Sequence, residues 1–190
     1  MQSLTNTKQL TVEEFLTLPT GDITYELVEG KAVPKDKPMS PQRFHASLQK
    51  CLLWILDGWC RGKGDVYTEL AVQLQRQGDV WVPVPDLTYV SFERWPEQLT
   101  SDGLCPVAPE LVVEIISPTQ GFGEMAQKAG DYLEAGILRV WIVDAVAKSI
   151  TVFYPDRRPH TFTKSQRMTD DLFPDLVIIP EDIFAQARIP

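Results

Sequence analysis

Two acidic residues, Glu114 and Asp86, occur in or next to predicted strands, where a carboxylate could bind a metal ion or take part in catalysis. Glu114 lies within "PELVVEIISP" (109–118), in an apolar run that otherwise predicts a strand shielded from water on both faces. An ionised carboxylate is costly to bury alone, so a cation, a metal ion or a raised pKa must accompany it. Asp86, in "VPDLTYV", enters another predicted strand 28 residues earlier.

Two strands joined by one loop can bring these two side chains side by side. Adjacent carboxylates repel each other, so the pair either shares a proton or binds a hard divalent cation such as Mg²⁺ or Mn²⁺, which prefers oxygen ligands. We therefore predict a divalent metal site at Asp86 and Glu114. For Asp86 a structural role is the alternative, because "FPDLVII" (173–179) repeats the Pro-Asp-Leu pattern without evident chemistry.

Lys128 is a third candidate, on the helix predicted after the Glu114 strand. At about 100° per residue it borders the apolar face formed by Met125 and Tyr132, from which it can reach back toward Glu114. There it would stabilise developing charge on a phosphate oxygen or position an attacking water, as metal-assisted phosphodiester hydrolysis requires. The alternative is a lysine whose stem lies along the sheet with its ammonium in water.

The elements that must position these residues alternate between strand and helix patterns. Thr11 and Glu14 have the spacing of a capping box, which predicts a short first helix. Pro83 and Pro85 restrict their segment to an edge or irregular strand. The unit from 111 to 144 predicts two parallel strands joined by a helix. The remaining predictions are a hairpin at 25–33, a polar loop at 35–41, an amphipathic helix at 42–59, alternating strands at 66–75 and 80–90, and two strands with a short helix or turn at the end.

Composition limits the class of protein. The 190 residues, 44% hydrophobic, suit a single α/β domain over 1–190, with a core at about 10–186 and helices on the faces of a mixed sheet. The apolar runs are shorter than a membrane helix needs, and the N-terminus lacks a signal-peptide pattern, so we predict a cytoplasmic protein. Three cysteines without Cys-x-x-Cys spacing predict reduced thiols. Trp54, Trp59, Trp81 and Trp141 are expected in the core or an interface. The net charge of −8 argues against holding nucleic acid by charge alone.

Several motifs, taken in order, resemble the Uma family of restriction-endonuclease-like proteins within the PD-(D/E)XK nuclease superfamily. The resemblance implies a restriction-endonuclease-like fold and a metal-dependent nuclease with DNA as substrate. It matches Asp86 to the aspartate of "PD" and Glu114 to the acid of "(D/E)XK", and it implies the backbone carbonyl of Ile115 as a further metal ligand. Ile116 stands where the pattern has lysine, which implies that Lys128 replaces that lysine. The motifs are "LTVEEFLTLP", "YELVEGKAV", "SPQRFHASL", "VPDLTYVS", "PELVVEIISPTQ", "KAGDYLEAGILRVWIVD" and "DLFPDLVIIPEDIFA".

The same resemblance adds His45 as a catalytic candidate and Glu26 as a contact to the metal or its ligands. A core histidine and a solvated glutamate are the respective alternatives. Cleavage of two strands would suit a homodimer. Two other functions compete with the nuclease: a catalytically silent nuclease-fold module that acts by protein interaction or weak nucleic-acid binding, and a glycosidase with Asp86 and Glu114 as its acid pair. The silent module is favoured by the net charge and by Ile116, and the glycosidase lacks an aromatic-rich sugar cleft.

Overall fold

The computed structural model describes residues 9–19, 23–35, 43–97 and 103–190. Apart from Lys35, the loop predicted at 35–41 lies outside these residues. No helix in the described ranges is long and apolar enough to cross a membrane. The helices are α1 (Val12–Leu16), α2 (Arg43–Cys60), α3 (Phe122–Glu134) and α4 (Pro180–Gln186). The strands are β1 (Tyr25–Val28), β2 (Lys31–Pro34), β3 (Gly64–Thr68), β4 (Leu74–Arg76), β5 (Asp79–Val82), β6 (Leu87–Ser91), β7 (Leu111–Ile115), β8 (Arg139–Asp144), β9 (Ser149–Phe153), β10 (His160–Thr163), β11 (Met168–Asp170) and β12 (Phe173–Ile178).

A six-stranded mixed sheet forms the centre of this α/β domain. Its strand order is β10-β9-β8-β7-β6-β3. β7 and β8 run parallel and are connected through α3, which confirms the predicted strand–helix–strand unit. The other neighbours in the sheet are antiparallel. Every residue of β7 is buried, as expected for a strand covered on both faces.

Alternate side chains of β7 enter two different cores. Val113 and Ile115 pack in the cluster that also contains the buried residues of α2 and α4. Val112 packs on the opposite face, with α3 and part of a second sheet. Because side chains alternate along a strand, Glu114 shares the face of Val112 and projects toward α3.

The second sheet has four strands in the order β2-β1-β5-β4. Its buried Leu74 and Trp81 pack in the same cluster as Met125 and Tyr132 of α3, and the rings of Trp81 and Tyr132 lie 4.8 Å apart between centroids. This sheet therefore encloses the α3 side of the domain. It also brings β1 and the end of β2 close to Glu114.

Each of the two segments predicted as an alternating strand is divided between the two sheets. The segment 66–75 leaves the large sheet after β3 and enters the small sheet as β4, and Glu69 adopts a left-handed φ of 52° where it departs. The segment 80–90 forms β5 in the small sheet and β6 in the large one. Pro83 and Pro85 lie in the link between them. β5 and β6 are both interior strands, so the prediction of an edge strand is wrong. The prediction of an irregular segment is correct, because the two prolines lie between the strands and need no hydrogen bond to a neighbouring strand.

Several expectations about single side chains can also be compared with the structure. Thr11 and Glu14 form the predicted capping box at α1. The three cysteines are buried and unpaired, as predicted. Trp81 and Trp141 are buried in the core, whereas Trp54 is 81% exposed on α2, so of the two predicted places, core or interface, the core is excluded for Trp54 and the interface stays a prediction. The amphipathic pattern of α2 allows such an outward position because only one stripe of the helix faces the sheet.

Candidate functional site

The strand register brings Asp86 and Glu114 together. In the antiparallel pair of β6 and β7, Leu87 lies opposite Val113 and Thr88 lies opposite Val112. Asp86 immediately precedes β6, and the same register continued by one residue would place it opposite Glu114; the charge of Asp86 does act on Glu114. Residues directly opposite each other project to the same face of a sheet, so the two carboxylates are neighbours. The site lies at the carboxyl end of β7, where ligands bind in many open α/β sheets.

Glu114 has two partners on α3. Tyr132 donates a hydrogen bond from its hydroxyl to Oε1 of Glu114 at 2.7 Å, and Nζ of Lys128 lies 2.9 Å from the same oxygen. Burial raises the pKa of Glu114; Lys128 acts to lower it and Asp86 to raise it further. Burial and the adjacent carboxylate also raise the pKa of Tyr132 well above its ordinary value, which keeps the phenol protonated as a donor.

Lys128 joins Glu114 to a second buried acid, Glu26. Its Nζ donates to Oε1 of Glu26 at 2.9 Å, and the backbone N–H of Val84 approaches the same oxygen at 3.3 Å. Glu26 is 8% exposed, so the alternative of a solvated glutamate is wrong: β1 is covered where it meets α3. Burial acts to lower the pKa of Lys128, but the two carboxylates outweigh it and raise that pKa, so the residue is an ammonium.

Asp86 is bound from several directions. Nζ of Lys35 lies 2.6 Å from Oδ1, and Nε2 of His45 lies 3.4 Å from the same oxygen. The backbone N–H of Ile115 donates to Oδ2 at 2.7 Å, and Gln49 donates to the main-chain carbonyl of Asp86 at 2.9 Å. Burial acts to raise the pKa of Asp86, but the hydrogen bond from His45 and the charge of Lys35 lower it to about 2. The carboxylate is therefore ionised at neutral pH.

Lys35 is the site residue that sequence analysis missed. It follows β2 directly and also lies 3.7 Å from Glu69, and its side chain is only 7% exposed. The carboxylates of Asp86 and Glu114 raise its pKa although burial acts in the opposite direction. A lysine at the end of a short polar strand ordinarily indicates a solvated position, and nothing in the sequence separates Lys35 from Lys31 on the same strand.

The acidic residues can be tested as ligands for a divalent cation. Glu26, Asp86 and Glu114 carry the hard oxygen donors that Mg²⁺ and Mn²⁺ prefer, and two lysines lie among them. Both close contacts to Glu114 fall on Oε1, so Oε2 takes part in neither. In the described part of the chain, no three or more His, Cys, Asp or Glu side chains are arranged as a metal site. The predicted ligand set, two carboxylates with the backbone carbonyl of Ile115, is smaller than such a group and stays a prediction.

A cavity of about 430 Å³ shares two of its lining residues with the surroundings of Asp86. His45 and Ile115, which both contact Asp86, form part of its wall. The remaining wall comes from the first turn of α2, the segment between β7 and α3, and the turn after β8. Its size lies within the range of pockets that hold small molecules or parts of larger ones.

The fold and the family can now be compared with known proteins. A crystal structure from Anabaena variabilis ATCC 29413, described as "a putative nuclease belonging to DUF820", has a TM-score of 0.79 and 23% sequence identity, covering 94% of this chain and 99% of that chain. The two chains therefore share a mixed α/β fold. The model of the Uma2 family, described as "Putative restriction endonuclease", matches residues 12–182. The chain belongs to this family, which confirms the resemblance found in its motifs. A comparison with curated proteins gave no match.

Proposed function

We propose that this chain is a divalent-metal-dependent endonuclease that hydrolyses phosphodiester bonds in DNA. The observation that carries the proposal is that Asp86 and Glu114 interact at the end of β7, with an ammonium group on each carboxylate. Family membership supports a nuclease. Membership of a nuclease family also favours metal-assisted hydrolysis by the paired carboxylates over glycoside hydrolysis.

Asp86, Glu114 and the backbone carbonyl of Ile115 would hold Mg²⁺ or Mn²⁺. When bound, the cation supplies a Lewis acid for the phosphate oxygen and lowers the pKa of a water. Asp86 is suited to this role because it is ionised at neutral pH. Glu114, whose pKa is raised, releases any proton more readily when a cation lies beside it.

The side chains around the carboxylates have separate roles in this proposal. Lys128 stays protonated, so it stabilises negative charge on the phosphate and does not serve as a base. Tyr132 fixes the orientation of Glu114 through its hydrogen bond to Oε1. His45, between Asp86 and the cavity, is placed to contact the substrate strand.

Cleavage of supercoiled plasmid and of single-stranded DNA in Mn²⁺ tests this function. We expect nicking by the wild type, none in EDTA, and at least about a hundredfold loss in Glu114→Gln, because charge stabilisation at the reacting phosphate is the main catalytic term. Glu110→Gln is the matched control, since Glu110 is equally a buried glutamate but binds Ser91 and Arg94 away from the site. An intact plasmid in wild type, or equal loss in both variants, would contradict the proposal.

A catalytically silent module is the second candidate, and one observation favours it. The two carboxylates are already matched by Lys35 and Lys128 without any metal. If this internal pairing is the whole role of the cluster, Mn²⁺ does not bind and DNA stays intact, while the fold depends on the same contacts. A homodimer, which would offer one site to each strand of a duplex, stays a prediction that sedimentation velocity can test.

A further inference from the structure

The cavity lined by His45 and Ile115 has two aromatic residues in its wall. Phe44 comes from the first turn of α2 and Phe122 from the start of α3. Both are large apolar side chains that remain well exposed, at 38% and 43%. Nucleobases stack on exposed aromatic rings of this kind, and the stacking tolerates any base because every base has a π-face.

The polar groups of the cavity suit a base better than a phosphate. Ser117 lies in the wall, and its buried hydroxyl oxygen has no hydrogen-bond partner in the part of the chain that the structure describes. Asp144 is also in the wall; its Oδ1 accepts from the backbone N–H groups of Val146 and Ala147, and its second oxygen, Oδ2, can accept from a base amino group, while the carboxylate repels a phosphate. No lysine or arginine is among the described residues that form the wall.

The net charge of the whole chain also favours binding through bases over binding through phosphates. Affinity for duplex DNA comes largely from lysine and arginine that neutralise phosphates, and this chain carries a net charge of −8. An acidic protein that acts on DNA therefore needs another source of affinity. Stacking of an unpaired base in an apolar cavity supplies one that does not depend on phosphate contacts.

We propose that this cavity binds an unpaired nucleobase of the DNA strand, next to the phosphodiester that the carboxylates would cleave. This rests on the proposed function for its substrate, and it adds that the substrate strand is single-stranded or has a base turned out of the duplex. His45 and Ile115 connect the two places, because both line the cavity and contact Asp86 at 3.4 Å and 2.7 Å respectively. The base site thus shares His45 and Ile115 with the surroundings of Asp86.

Fluorescence anisotropy in EDTA tests the site without any metal or cleavage. The probes are a short labelled single strand, the same strand in a duplex, and an abasic strand with the same phosphates. We expect the single strand to bind more tightly than the other two. Phe122→Ala should weaken its binding roughly five- to a hundredfold, the effect of one stacked base. Ser117→Ala, which removes only a hydroxyl, should weaken it less.

Trp54→Ala is the matched control, since Trp54 is a more exposed aromatic on α2 that does not line the cavity. Far-UV circular dichroism verifies that the variants are folded. Equal affinity for the base-bearing and abasic strands overturns the inference, and so does an equal loss in Phe122→Ala and Trp54→Ala. A second variant, Phe44→Ala, gives an independent reading from the other ring.

The same samples with Mn²⁺ separate this inference from the proposed function. Cleavage by wild type with unchanged strand binding in Phe122→Ala overturns the base site and leaves the nuclease standing. Base-dependent binding that requires Phe122, with no cleavage in Mn²⁺, supports the base site and contradicts the nuclease.

Discussion

Replacement of Lys35 by methionine tests whether this lysine compensates Asp86. The change removes the ammonium and keeps most of the side-chain volume. The pair is buried, with 7% and 2% of the side chains exposed and 2.6 Å between Nζ and Oδ1. Removing one partner of a buried pair costs about 3–5 kcal/mol. His45 and the N–H of Ile115 stay on the carboxylate, so we expect the lower end, about 3 kcal/mol less free energy of unfolding.

Two rescues follow from the same reasoning. Adding Asp86→Asn to Lys35→Met removes the uncompensated charge, so the double variant should be more stable than the single one. Mn²⁺ should also replace the lost ammonium, because it brings positive charge to the same carboxylate. A ligand at about a hundred times its Kd stabilises the folded state by about 2.7 kcal/mol. The stabilisation by Mn²⁺ should accordingly be larger in Lys35→Met than in the wild type.

Urea unfolding in EDTA, followed by tryptophan fluorescence, measures these differences. For a chain of this length, 3 kcal/mol corresponds to roughly 6–12 °C in Tm. Lys31→Met is the control, because Lys31 is an exposed lysine on β2, the strand that Lys35 follows, and the expected change is within about 0.5 kcal/mol. A loss in Lys35→Met no larger than in Lys31→Met, or a double variant less stable than the single one, would refute the reasoning.

Three other predictions concern the framework of the site. Tyr132→Phe removes the 2.7 Å hydrogen bond to Glu114, and urea unfolding should show a loss of about 2 kcal/mol. Gly64→Ala places a Cβ 2.3 Å from a backbone oxygen of β6 and should cost at least about 2 kcal/mol, whereas Gly58→Ala on α2, with nothing within 4 Å, should be neutral or stabilising. The pKa of Asp86 is lowered to about 2, so the ionised carboxylate stabilises the folded protein above the unfolded pKa of about 4. This stabilisation is lost as the pH falls from about 4 to about 2. The free energy of unfolding, measured against pH, should therefore fall by roughly 2 kcal/mol more in the wild type than in Asp86→Asn.

Local patterns were sufficient for part of the site. The isolated acid in a buried strand required a partner, and helical periodicity placed Lys128 on the face of α3 that meets Glu114. The capping box at Thr11 and the strand–helix–strand unit of β7, α3 and β8 could also be predicted from the sequence, because each depends on residues close in sequence. These features need no knowledge of how distant segments meet.

Other features depend on register and on contacts between the sheets, which the sequence does not display. Asp86 and Asp175 occur in the same Pro-Asp-Leu pattern, yet Asp86 is buried near Glu114 and Asp175 is exposed with a φ of 67°. Lys35 and Glu26 are buried only because the small sheet packs near α3. The alternation of apolar and polar residues also does not show that the segments 66–75 and 80–90 each cross from one sheet to the other.

Calorimetric titration with Mn²⁺ tests the central claim, that Asp86 and Glu114 form a divalent metal site, most directly. We expect about one ion per chain to bind to the wild type. Binding should persist in Glu110→Gln, where the buried glutamate lies elsewhere on the fold, and should be lost in Glu114→Gln. Absence of binding in the wild type, or binding that survives unchanged in Glu114→Gln, would contradict the account and leave the carboxylates as a structural cluster neutralised by Lys35 and Lys128.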